Sequence, residues 1–201
     1  MTVATRAESE TAMQAQKLQV KFFARDEISE VALVPVFHEW IKQGVVSDEL
    51  LIDVADYSHV PDGPGVMIIG HQADYAVDRD GARQGLTYSR KRLAEGDFAA
   101  RVQDTFRRAL SSCVRLEGQD GLAARFGTGE VVFRIQDRLL APNDAATVEA
   151  VRPALEATLA KLYPGQQATI ESIGEPREPL TLRITVSTDA SAAELLARLS
   201  A

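Results

Sequence analysis

From Leu18 to Ala24 (LQVKFFA) apolar and polar positions alternate, with Leu18, Val20 and Phe22 set against Gln19, Lys21 and Phe23. A period of two predicts a strand. After a polar stretch from Arg25 to Glu30 the period becomes helical: Val34, Phe37, His38 and Ile41 recur on one face with Trp40 beside them. Pro35 fits a first helical turn and Gly44 a helix stop. Leu50 to Tyr57 predicts the next strand, and SHVPDGPG a loop. Val66 to Asp78 reads as one long strand bent at Gly70. Arg79-Asp80-Gly81 is a turn signal, and Gly85 to Arg90 a returning strand. Between Asp97 and Leu116 the residues Phe98, Val102, Phe106, Ala109, Leu110 and Cys113 form one apolar stripe, the mark of an amphipathic helix.

The order then restarts. Glu130 to Gln136 predicts a strand. Asn143 or Asp144 can cap a helix that buries Val148, Val151, Leu155, Leu159 and Leu162, with Pro153 predicting a kink or break because it removes a backbone donor. Gln167 to Ile173 and Leu180 to Val186 predict two more strands. Ser191 with Glu194 is a capping box that opens a closing helix.

The expected fold is therefore α+β, a mixed sheet with helices on one face, built from two pseudo-repeated β-α-β-β-α halves. The first half is 17–116, with an extra strand, and the second is 130–201. A Gly-rich linker, 117–129, joins them, and 1–16 is expected as a mobile N-terminal tail. The repeat is one of pattern, since no residue identity between the halves is evident. A strand–helix–strand crossover makes its two strands either parallel neighbours or neighbours with one strand between them.

Composition narrows the function classes. The 201 residues carry 22 Lys+Arg against 29 Asp+Glu, a net charge of -7, which argues against a nucleic-acid footprint. One cysteine excludes a disulfide framework and a Cys-rich zinc site. No apolar run approaches the roughly 18–20 residues of a membrane span, and the first residues lack a secretory signal, so the expected location is cytoplasmic. The P-loop, dinucleotide-binding, nucleophile-elbow and H-E-x-x-H motifs are all absent. No motif names a cofactor.

The densest set of chemically capable residues lies in DVADYSHVPDGPGVMIIGHQADYAVD, from Asp53 to Asp78. On a regular strand His71 shares a face with Tyr75. Together with Asp53 on the neighbouring strand it forms the candidate catalytic group, a proton donor whose pKa burial beside Met67 and Ile69 would lower. His59, Asp62, Asp74 and Arg90 are candidate ligand-binding residues, Arg90 because it ends a strand beside the Asp74/Asp78 face. His59, Asp62 and His71 make a candidate two-His, one-carboxylate metal set. The plainer account makes Asp62-Gly63 a tight turn, His59 an exposed loop residue and His71 a hydrogen-bonded core histidine. Arg90-Lys91-Arg92 and Arg107-Arg108 are basic clusters suited to an anion or to solvent. His38 and Cys113 are expected in the interior.

Two functions fit. One is a non-catalytic module that binds a small molecule or self-associates, for example as a homodimer. The other is an enzyme with a pocket lined by Asp53–Asp78 and His71 as acid/base or metal ligand. Nucleic acid and membrane are not expected partners.

Overall fold

The computed structural model of the chain describes residues 10–61 and 63–200. Eight strands and four long helices alternate: β1 (Leu18–Ala24), α1 (Glu30–Gln43), β2 (Leu51–Asp56), β3 (Val66–Gly70), β4 (Ala73–Asp80), β5 (Arg83–Arg90), α2 (Phe98–Glu117), β6 (Phe126–Ile135), α3 (Ala145–Leu162), β7 (Ala168–Ile173), β8 (Leu180–Val186) and α4 (Ala192–Ser200). The strands form one sheet in the order β2-β3-β4-β5-β1-β6-β8-β7.

The class is α+β, as the alternating periods predict. The sheet is antiparallel at every pairing rather than mixed. Each hairpin returns its second strand beside the strand that precedes the helix: β5 beside β1, and β8 beside β6. The crossover through α3 has one strand, β8, between β6 and β7, whereas the one through α1 spans three, since β3, β4 and β5 lie between β1 and β2. β1 and β6 pair at the centre, Phe22 opposite Val131, so 17–116 and 130–201 share one sheet and one core.

The helices cover one sheet face: α1 over β2 and β3, α2 over β1 and β5, α4 over β6, with α3 against α2 and α4. The alternation seen in LQVKFFA sets this up, because Leu18, Val20 and Phe22 turn to the helices and are buried. The Phe22 ring meets Phe106 of α2 edge-on at 6.5 Å, and Phe106 stacks on Phe133 of β6 at 6.2 Å. The other face carries polar side chains even where it is buried. Lys21, 5% exposed, pairs with Asp78 at 2.9 Å, and Thr87 donates to Asp78 at 2.7 Å.

Four local expectations change. Val66 to Asp78 is two strands, because the chain folds back at His71-Gln72: His71 N–H donates to Leu50 O at 2.8 Å, and Gln72 N–H to Glu49 Oε1 at 2.7 Å. Gly70 permits this reversal, since a Cβ there would run into the Ala73 carbonyl. β6 begins at Phe126, inside the expected linker, because Phe126 pairs with Ala24. Pro153 does not break α3; it faces solvent, so water can reach the carbonyl that lost its partner. Residues 10–16 pack rather than trail: Ala12 and Ala15 are fully buried, and Met13 O accepts from Arg101 Nη2 at 2.6 Å. Residues 1–9 of the expected tail lie outside the described residues. The closing helix is capped as predicted, with Ser191 N–H to Glu194 Oε2 at 2.7 Å. No helix among the described residues is long and apolar enough to cross a membrane.

Candidate functional site

The reversal at His71-Gln72 separates the residues that a continuous strand would align. Tyr75 pairs with Ile68 and faces the helices, whereas Asp74 pairs with Ile69 and faces the other side. Asp53, also opposite Ile69, is exposed on the edge strand β2. His71 is exposed in the β3–β4 turn and is not a core histidine. So His71, Asp53 and Tyr75 do not share a face. His59 sits in an exposed turn, and Asp62 lies outside the described residues. Among the described residues no three His, Cys, Asp or Glu side chains gather in a way that could hold a metal ion.

Asp74 is tied to Lys91 at 2.6 Å. Arg90 pairs with Ala73, which turns it to the helix side and away from the Asp74/Asp78 face. There Arg90 Nη2 donates to Gln72 Oε1 at 3.0 Å, and its Nε to Arg92 O at 3.1 Å. His38 is exposed too, because α1 buries Leu33, Phe37 and Trp40 instead of the Val34 stripe. Cys113 is fully buried, and burial pushes its thiol pKa well up.

A different group of residues converges beneath α2. Among the described residues, four buried side-chain polar atoms lack a hydrogen-bond partner: Glu49 Oε2, Tyr75 OH, Tyr88 OH and Arg101 Nε. A buried polar group left unpaired costs about 1–3 kcal/mol, so four in one region need an explanation. Glu49, Tyr75 and Tyr88 are linked in turn, and Arg101 lines a hollow with Arg108, which acts on both tyrosines. Tyr75 and Tyr88, opposite each other on β4 and β5, stack edge to face at 5.2 Å. They are 2% and 0% exposed. Burial raises both phenol pKa values. The charge of Glu49 adds to the rise at Tyr75, and Arg108 opposes it at both rings.

Arg108 organises this region from α2. Its Nε donates to Asp104 Oδ2 at 2.7 Å and its Nη2 to Asp48 Oδ2 at 2.6 Å. Burial disfavours the Arg108 charge, but the bonds to Asp48 and Asp104 outweigh it and raise its pKa. Arg101 is 7% exposed and spends its Nη groups on the Gly96 and Met13 carbonyls at 2.6 Å each. Glu49, 9% exposed, spends only Oε1, on Gln72 N–H.

Two hollows flank Arg108. The smaller, about 120 Å³, is lined by Tyr75, Ser47, Asp48, Ser111 and Ser112 together with Arg107, Arg108 and Arg115. The larger, about 370 Å³, is lined by Gln72, Arg90, Arg101, Asp104 and Arg108 among others. Three arginines and one aspartate line the smaller one, and Asp104 pairs with two of those arginines, Arg107 at 2.6 Å and Arg108 at 2.7 Å. Three roomier hollows, about 380, 410 and 490 Å³, have among their lining residues none of the four with an unpaired buried atom.

The sequence held a signal for this site. Arg101, Asp104 and Arg108 fall at i, i+3 and i+7 beside the apolar stripe of α2, so the helix carries a charged row against its own buried face. No family model, curated protein or solved structure matches the chain.

Proposed function

We propose that the protein is a small-ligand-binding module whose ligand is an anion, seated beside Arg108 under α2. The observation that carries this reading is Tyr75: a buried hydroxyl that makes no hydrogen bond of good geometry although Arg108 lies near it, lining a hollow bordered by three arginines inside an acidic protein. Tyrosine, serine and arginine offer donors, and the guanidinium forks match a carboxylate or phosphate oxygen. The smaller hollow lies below the roughly 300–1,000 Å³ of a drug-sized site, so the anionic group itself is small. The donors stand on sheet and helix and are preorganised.

The test is thermal unfolding in chloride against phosphate, sulfate and acetate at matched ionic strength. Ligand at about one hundred times its Kd stabilises by about 2.7 kcal/mol. A saturable rise in Tm with one of the oxyanions, lost in Tyr75→Phe, supports the reading. Identical curves in all four salts refute it.

A second reading, self-association, has its own observation. Leu50, Ile52, Tyr57 and Val60 are large apolar residues exposed on and around the edge strand β2. A concentration-dependent sedimentation coefficient that Ile52→Lys abolishes supports it, and a concentration-independent monomer refutes it. The edge is guarded, however, by Asp53, Asp56 and a register shift between Leu51 and Asp53. Charges and bulges of this kind discourage strand addition.

A further inference from the structure

The four unpaired atoms differ in kind. Tyr75 OH, Tyr88 OH and Arg101 Nε–H are donors, and each can serve an anion. Glu49 Oε2, as an oxygen of an ionised carboxylate, can only accept. A simple anion leaves it unpaired and adds like-charge repulsion.

We infer that the ligand is a small carboxylate bearing a hydrogen-bond donor next to its acid group, an α-amino or α-hydroxy acid, with the carboxylate on the tyrosine–arginine side and the donor on Glu49. This rests on the anion-binding reading above and names its ligand class. Glu49 is placed for the part. Its Oε1 is held by the N–H of Gln72, which lines the larger hollow, and its charge bears on Tyr75, which lines the smaller. Gly70 lets the carboxylate lie close against the backbone, since a Cβ there would stand 3.0 Å from Glu49 Oε1. Among the described residues no cation lies within salt-bridge distance of Glu49, so an ammonium or hydroxyl of a ligand is the complement the site lacks. With Oε1 bonded to Gln72 N–H, Oε2 is still buried without a partner, and such an atom costs free energy. The reward for supplying one is correspondingly large.

Three probes with the same three-carbon skeleton test this by calorimetric titration of the full chain: propionate, lactate and alanine, the last two as both enantiomers. At neutral pH alanine is expected to bind at least tenfold more tightly than propionate, and lactate to fall between them. Glu49→Gln keeps the shape of the side chain and removes its charge. It is expected to shrink the alanine preference below threefold, weakening alanine and tightening propionate as the like-charge repulsion is removed. Equal affinities for the three probes overturn the inference and leave the anion reading standing. So does a preference that survives Glu49→Gln. Binding of phosphate but of none of the carboxylates overturns it as well. No binding of phosphate, sulfate or any carboxylate overturns both readings and assigns the unpaired atoms to ordered water alone.

Discussion

Replacing Tyr75 by Phe separates a binding role from a packing role, because the two predict opposite signs. The ring stays, so its edge-to-face contact with Tyr88 at 5.2 Å is kept, and only the hydroxyl is lost. That hydroxyl is buried and has no partner among the described residues. The folded state therefore bears its desolvation cost, about 1–3 kcal/mol, without a compensating bond. Tyr75→Phe is expected to stabilise the ligand-free protein by about 1 kcal/mol, a rise in Tm of about 2–4 °C at this chain length. The same change removes a donor from the hollow and is expected to abolish most of the oxyanion-dependent stabilisation. Urea denaturation in chloride buffer gives the first number, and thermal shift against oxyanion concentration gives the second. A site that trades stability for binding shows this crossed pattern. A loss of stability in chloride would refute the reasoning, since it means the hydroxyl already has a partner in the ligand-free fold.

Further outcomes follow from other parts of the structure. Phe106→Ala removes the ring that joins Phe22 to Phe133. It is expected to cost about 3–5 kcal/mol, read as a lower urea midpoint with an unchanged slope. Asp48 is held below its ordinary carboxyl pKa by the hydrogen bond from Arg108. A depressed carboxylate contributes stability above its unfolded pKa, about 3.9, and loses it as pH falls through the lower folded value. Asp48 is 58% exposed, so Asp48→Asn is expected to cost less than about 1 kcal/mol at pH 7, with the gap closing at more acid pH; a gap constant from pH 7 to 3 contradicts the assignment. Cys113, fully buried with a raised pKa, is expected to resist a thiol reagent in the native protein and to react promptly in guanidinium. Gly65 has φ +63°, and a Cβ there would collide with the Val77 carbonyl, so Gly65→Ala is expected to lower Tm sharply without altering the β5–β1 pairing seen by hydrogen exchange.

Much of the fold was legible because its strands are wet on one side. Leu180 to Val186 alternates in sequence, and its Leu182 and Ile184 are buried on β8. α2 was legible because its stripe repeats over five turns. Val66 to Asp78 was misread because β3 carries apolar residues on both faces, which hides the change of phase at the reversal from Val66 and Ile68 inward to Ala73, Tyr75 and Val77 inward. The clue was Gly70, where crowding by Glu49 and Ala73 leaves no room for a side chain. Local spacing shows only the Arg101, Asp104 and Arg108 row of the site. Its tyrosines come from β4 and β5, its arginines from α2, and Glu49 from the α1–β2 connection. His71 and Asp53 drew attention as residue types that often do chemistry, yet the structure exposes both. Tyr75, read as a helper of His71, instead faces Arg108.

β1 occupies the middle of the sheet although it comes early in the chain. Gln19 meets Ser89 across 70 residues of sequence and Arg134 across 115. On a ribosome, then, this segment emerges long before either of its neighbours exists. Phe22 and Val20 must wait in solution while most of the polypeptide is made, and the interior closes only when β6 arrives. Such distant pairing slows folding and prolongs exposure of sticky segments. The vulnerable stage in this protein's life is its synthesis, and nascent chains stalled before residue 126 should be the ones a chaperone holds longest.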